Sequence, residues 1–144
     1  MKKLIFMVFM AGSIFASAQD WHATFSDALS VSATENKPII LVFAGSDWCA
    51  PCIMLERNIW QSQEFMDYSK ENYVLYKADF PRKKNNQLPT EIADGNAELA
   101  KAYNPKGFFP LIVVLNSEEQ VLGTTGFKKI SPNDYISLLN SFIK

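Results

Sequence analysis

The segment that most constrains this chain is "PIILVFAGSDWCAPC", Pro38 to Cys52, an apolar run that breaks at Gly45 and leads directly to both cysteines. Pro38 to Ala44 is rich in β-branched residues, and a proline at its edge fits the start of a strand. A strand apolar on both faces is a central one, covered by helices on each side. The C-x-x-C after it stands at a strand-to-helix junction, because Ile53, Leu55 (or Met54), Ile59 and Trp60 continue with helical spacing.

The remaining segments can be placed around that strand. Trp21, Phe25, Ala28, Leu29 and Ala33 have helical spacing over Trp21 to Ala33, and a capping box from Thr24 to Asp27 offers a later start, with the helix beginning properly only there. A short helical piece comes next around Ser62 to Tyr68, and Tyr73 to Asp79 alternates as a strand does. Phe80 to Asp94, with Pro81 and Pro89, reads as a long loop, and Asn96 as the cap of a helix through Tyr103. Pro110 to Asn116 is a second apolar strand, turned at Ser117-Glu118-Glu119 into "QVLGTT" as a hairpin. Ser131 as cap and Pro132 at the first helical position open a last helix, with Tyr135, Leu138, Leu139 and Phe142 on one face. This order predicts an α/β fold, a central mixed β-sheet flanked by helices.

The junction gives the cysteine pair a chemical meaning. The first turn of a helix has amide N–H groups without intrahelical partners, and the macrodipole adds roughly half a positive charge there. A thiolate at Cys49 is thereby stabilised. A free thiol of pKa about 8.5 is only about 3 % ionised at pH 7, whereas one lowered to about 7 is half ionised, a roughly tenfold gain in attacking species. Cys52 lies one turn along, near enough to close a disulfide with little movement.

Three other uses compete. A structural disulfide across so short a loop restrains little of the unfolded chain. A zinc site normally takes four protein ligands, and the chain offers two cysteines and one histidine, His22 on the N-terminal helix, which reads as an ordinary surface residue. Inert thiols fit poorly with an oxidising compartment. The balance favours a redox pair that needs no metal and no organic cofactor.

The compartment is read from the first residues. Lys2 and Lys3 precede an apolar run from Leu4 to Phe15, and Ala16-Ser17-Ala18 supplies the small residues of an A-x-A cleavage site. About a dozen apolar residues fall short of the ~20 a helix needs to span the hydrocarbon core. Residues 1–18 are therefore expected to be a signal peptide and 19–144 a single domain, exported to a periplasm or secreted, without stable membrane insertion. Removing Lys2 and Lys3 leaves 12 basic residues against 15 acidic, a net charge of about −3 that gives no reason to expect nucleic acid. The one basic run, Arg82-Lys83-Lys84, has no interleaved aromatics and reads as a solvated loop.

Taken together, "IILVFA", "WCAPC" opening a helix and "GFFP" before the next apolar strand resemble the thioredoxin superfamily. "GSDWCAPC", "DFP" and "LAKAYNPKGFFPLIVVL" are similar to its secreted bacterial members, over Lys37 to Lys144. The resemblance implies a thioredoxin fold with the first helix as an N-terminal extension, and the activity of a thiol–disulfide oxidoreductase. It implies that Cys49 attacks a disulfide in a partner protein and that Cys52 resolves the mixed disulfide. Trp48 would shield the site, Ala50 and Pro51 would tune it, and Phe109 and Pro110 would meet the substrate, Pro110 in the place of a cis-proline. Ala50-Pro51 is closer to the Gly-Pro of reducing thioredoxins than to the Pro-His of the periplasmic oxidant, which favours a reductant. The partners implied are disulfide-bearing or dithiol proteins and an electron donor, with a monomer expected. The alternative is a thioredoxin-like binding or chaperone module with a permanent disulfide, and a third reading is a metal or copper carrier.

The sequence departs from that family in ways that bear on mechanism. Thioredoxin has a buried acid six residues before the first cysteine, thought to help deprotonate the resolving thiol, and Phe43 stands there instead. With Asp79 aligned to the aspartate that ends the next strand, Leu75 takes the place of the associated lysine. Water or another base must then serve Cys52, with Asp47 and Glu56 as candidates that also read as solvated surface acids. Phe109 is bulkier than the residue usual before the proline and is expected to narrow the substrates accepted.

Overall fold

In the computed structural model, which describes residues 20–143, the run after Pro38 forms a strand, β1 (Ile39–Ala44), buried along its whole length. The expected signal peptide, residues 1–18, lies outside the described residues. α1 (Phe25–Glu35) precedes β1, and α2 (Ala50–Leu55), a π-helical turn (Glu56–Trp60), α3 (Gln63–Asn72) and β2 (Val74–Asp79) come after it. A 3-10 turn (Lys84–Asn86), α4 (Thr90–Tyr103), β3 (Leu111–Leu115), β4 (Val121–Thr125) and α5 (Pro132–Asn140) complete the chain. The sheet order is β2-β1-β3-β4, with β2 parallel to β1, and with β3 antiparallel to β1 and to β4. This is the mixed sheet with helices on both faces that the element order predicts.

Alternation along β1 divides the core in two. Ile40, Val42 and Ala44 pack with Cys49, Cys52, Leu55, Ile59, Trp60, Leu75 and Tyr135, on the face covered by α2, α3 and α5. Ile39, Leu41 and Phe43 pack with Ala28, Tyr76, Ala78 and Leu99, on the face covered by α1 and α4. Trp60 is the hub of the cysteine face, with ring centroids 4.6 Å from Phe65, 5.5 Å from Tyr135 and 6.1 Å from Trp21. It reaches the core together with Ile59 because Gln61 N–H donates to the Glu56 carbonyl at 3.0 Å, a turn wider than α-helical.

Caps appear where the sequence places them, at Thr24, whose hydroxyl accepts from Asp27 N–H, and at Ser131, which accepts from Asp134 N–H. Three expectations need correction, the first being the loop from Phe80, which ends where α4 begins at Thr90 and not at Asp94. Trp21 and His22 precede the first helix: Trp21 forms a parallel bridge to Leu75 on the open edge of β2, and His22 N–H donates to the Leu75 carbonyl. Unpaired β2 edge groups take this segment as a short strand before Thr24 can start a helix.

Asn96 is not a cap either. α4 begins at Thr90, directly after Pro89, and Asn96 is fully buried in its interior. Its side chain accepts from the Tyr76 hydroxyl at 2.7 Å and donates to the Asp79 carbonyl at 3.1 Å. These tertiary partners outweigh the local preference of asparagine for helix ends.

Candidate active site

β1 delivers the chain to Gly45, whose carbonyl accepts from Trp48 N–H and Cys49 N–H, a turn that leaves Cys49 as the N-cap of α2. Cys49 and Cys52 are joined in a disulfide, each 5 % exposed. Cys49 Sγ also accepts from the Cys52 amide at 3.3 Å, so one first-turn N–H is aimed at the sulfur. Ala50 and Pro51 are exposed in that turn, where proline costs no helical hydrogen bond.

Trp48 is fixed on three sides. Its Nε1–H donates to the Phe80 carbonyl at 2.7 Å, its ring meets Phe109 edge-on at 5.3 Å, and the Arg82 guanidinium lies 3.7 Å over it. Phe109 in turn packs on Phe80 at 5.5 Å. The Phe109–Pro110 bond is cis. Pro110 stands one step beyond the Phe43–Leu111 pair, at the same end of the sheet as the cysteine turn. The loop before it is braced by buried Asn104, which donates to the Phe108 carbonyl at 2.8 Å and accepts from Phe108 N–H at 2.9 Å.

The basic loop that reads as merely solvated is docked here. Both Asp47 carboxylate oxygens are used, Oδ1 accepting from Arg82 N–H at 2.9 Å and Oδ2 from Lys83 N–H at 2.9 Å and Asn86 Nδ2 at 3.0 Å. The Arg82 amide bond, ahead of the others, holds the Asp47 carboxyl below its ordinary value. Asp47 is thus a latch for the loop and a poor base. Asp79 plays a similar part, accepting from Ser46 N–H at 2.9 Å and from the Ser46 hydroxyl.

Phe43 lies on the face away from the cysteines, so the sheet itself separates that position from Cys52. On the cysteine face, Glu56 and Lys77 form an ion pair of 2.5 Å, and both line a cavity of about 160 Å³ with Cys52, Ile53, Ala44 and Ser46. Sequence reasoning missed Lys77, although strand alternation puts it on the same face as Leu75. It also missed Asn104 and the Asp79–Ser46 bond, which only the tertiary fold brings about. His22 is engaged along β2, and among the described residues no group of three or more His, Cys, Asp or Glu is placed to hold a metal ion.

Known proteins resemble this chain in sequence and fold. A family model described as thioredoxin-like matches residues 20–117. The chain is 35 % identical over 131 residues to the disulfide bond reductase DsbH of Chlamydia pneumoniae, covering 91 % of this chain and 76 % of that one. A solved structure of DsbH oxidoreductase superposes with a TM-score of 0.82 at 32 % identity, covering 94 % of this chain and 92 % of that one. A disulphide isomerase from Xylella fastidiosa Temecula1 shares the fold, with a TM-score of 0.62 at 23 % identity over 83 % and 88 % of the two chains.

Proposed function

The chain belongs to the thioredoxin-like family, and from that premise we propose that it is an exported thiol–disulfide oxidoreductase acting through Cys49 and Cys52 as a reductant of partner proteins. The observation that carries this reading is the closed Cys49–Cys52 disulfide at the start of α2, with the Cys52 amide directed at the Cys49 sulfur. In the dithiol form, the Cys49 thiolate attacks one sulfur of a partner disulfide and expels the other as a thiolate. Cys52 then attacks the Cys49 sulfur, closes the Cys49–Cys52 disulfide and releases the reduced partner. A dithiol donor must reopen that disulfide for the next cycle.

Reduction as the working direction is supported by Ala50-Pro51 between the cysteines and by the name of the Chlamydia relative, a disulfide bond reductase. Phe109, wedged between Trp48 and Phe80, and Pro110 beside it are assigned to substrate contact, with Phe108 left 57 % exposed at the rim. An extended partner segment can pair with backbone there. Export of a domain spanning 19–144 is supported by the apolar run and A-x-A site of the first residues. Among the described residues, no helix is long and apolar enough to cross a membrane.

The test is dithiothreitol-dependent reduction of insulin disulfides by the intact protein and by Cys49→Ser. The variant is expected to fall to the uncatalysed rate. Equal rates for the two would sink the enzyme reading in favour of a binding module with a permanent disulfide, and the reduction potential of the pair would fix the direction.

A further inference from the structure

Charge is close to balanced over the sequence, with 14 basic and 15 acidic residues, but it is not evenly spread. Arg82, Lys83 and Lys84 stand together on the loop after β2, and Lys128 and Lys129 on the loop after β4. The register brings both loops to one end of the sheet. β1 and β2 run parallel and finish side by side at Ala44 and Asp79, and β4 finishes at Thr125, opposite Ile112 at the start of β3. This is the end at which β1 delivers Cys49, and all five basic side chains are exposed there.

These cations are not neutralised from within. The ion pairs among the described residues are Lys37–Glu35, Lys77–Glu56 and Lys101–Glu98, none of which involves the two loops. The carboxylates that border the loops are engaged elsewhere. Asp47 spends both oxygens on the backbone of Arg82 and Lys83 and on Asn86, Asp79 accepts from Ser46, and Asp134 accepts from the Ser131 hydroxyl. Glu91, at the start of α4, lines a groove with Phe25 and Tyr76 on the other face of the sheet.

Arg82 is set apart from the lysines by its position. Its guanidinium lies 3.7 Å over the ring of Trp48, the residue next to Cys49. Stacking uses the flat face of the guanidinium and leaves the N–H groups around its edge, which no hydrogen bond or ion pair engages among the described residues. The arginine is also in place before any partner arrives. Its own N–H donates to Asp47 Oδ1 at 2.9 Å, and the indole beneath it is held by the Phe80 carbonyl and Phe109. A side chain pinned at its backbone and stacked at its tip loses little further freedom on binding. A planar donor fork so placed matches a carboxylate, which it can hold through two parallel N–H···O bonds.

We propose that Arg82 recognises a carboxylate side chain flanking the disulfide of the partner protein, so that the enzyme selects disulfides in acidic surroundings. The proposal rests on the exchange reaction of Cys49 and Cys52 and names the class of partner it serves. Such a partner repels an attacking thiolate, because its carboxylates and the Cys49 sulfur carry charge of the same sign, and a cation beside the site offsets that repulsion. Lys83, Lys84, Lys128 and Lys129 add an attractive field at longer range. Arg82 acts by binding alone: Cys49 sulfur bonds to one partner sulfur, and the other leaves with the electron pair of the broken bond.

The experiment uses two cysteine pentapeptides, one with glutamate and one with glutamine on each side of the cysteine, both joined by a disulfide to a chromogenic aryl thiol. Reduced protein in excess expels the aryl thiol by attack on the peptide sulfur, and each rate is divided by that of dithiothreitol with the same peptide. This division removes the effect of the glutamates on the disulfide itself. The intact protein should favour the glutamate peptide about fivefold at low ionic strength and less at high salt, where exposed charges are screened. Arg82→Gln brings the ratio close to one, Arg82→Lys keeps part of it, and joint replacement of Lys83 and Lys84 by Gln lowers it less than Arg82→Gln does. Because the ratio is read and not the rate, a change in basal rate transmitted through Trp48 does not disturb the result. A ratio near one in the intact protein, or one that Arg82→Gln lowers no more than the lysine replacements do, overturns the inference while leaving the enzyme reading in place. Release from both peptides no faster than in Cys49→Ser would mean that the exchange reaction itself is wrong, and the inference falls with it.

Discussion

The hydroxyl of Tyr76 donates to Oδ1 of Asn96 at 2.7 Å across the interface between β2 and α4, both residues being buried. Asn96 passes the contact on by donating to the Asp79 carbonyl at the end of β2. Replacing Asn96 by Leu leaves a buried hydroxyl and a carbonyl without partners, a loss expected to cost about 1–3 kcal/mol per group. Urea denaturation should show a lower midpoint with an unchanged slope. A stability equal to that of the parent would mean water replaces the amide.

Gly45 is a place where a methyl group does not fit. A Cβ there would fall 2.3 Å from Cε2 and 2.6 Å from Nε1 of Trp48, whose indole is held by Phe80 and Phe109. Gly45→Ala should therefore displace the indole, destabilise the fold by about 1–3 kcal/mol as overpacking does, and slow insulin reduction. Thermal unfolding and the insulin assay check the two effects together, and an unchanged rate would remove Trp48 from the site.

The Asp47 latch has a definite pH dependence. Its carboxyl is lowered in the folded protein, chiefly by the Arg82 amide, so the latch is fully in force above the ordinary carboxylate value. It is lost as pH falls below that value and through the lower folded one. Amide exchange at Arg82 and Lys83 should lose its protection in acid, and Asp47→Ala should give the same loss at neutral pH, with the global unfolding midpoint little changed. Protection that persists in the variant would show that Arg82 on Trp48 holds the loop by itself.

Tyr135 and Tyr73 are pushed above the ordinary phenol range, both mainly by burial. Each folded value is raised, so the contribution of these neutral phenols is present below the unfolded value and lost as pH rises toward the folded one. Absorbance titration should find them silent until the fold opens. Tyr135→Phe removes the donor to the Gly126 carbonyl, a 2.8 Å bond, and should cost about 0.5–1.5 kcal/mol.

Much of this architecture is legible in the sequence because it rests on local rules. The two apolar strands, the caps at Thr24 and Ser131 and the cysteine turn each arise from residues within a few positions of one another. Trp21 is different, since its bridge depends on the open edge of a strand that lies far along the chain, at Leu75. Asn96 is different for the same reason: its partners, Tyr76 and Asp79, lie on another element. The environment of Cys52 is the least legible part. Position counting leads to Phe43, whereas alternation along the sheet turns that side chain away and brings Lys77 to the cysteine face, beside the Glu56 that the sequence already offers.

The wide turn over Glu56–Trp60 adds one residue to the span between the redox helix and Ser62, and so has a genetic reading. Deleting a single codon there is the smallest change that would restore an uninterrupted α-helix. It would rotate the chain after the turn by about 100° against the helix before it. Either Glu56 would leave the cavity beside Cys52 or Trp60 would leave its aromatic neighbours. Removing one residue from this segment therefore sacrifices one of the two placements, so both together fix its length.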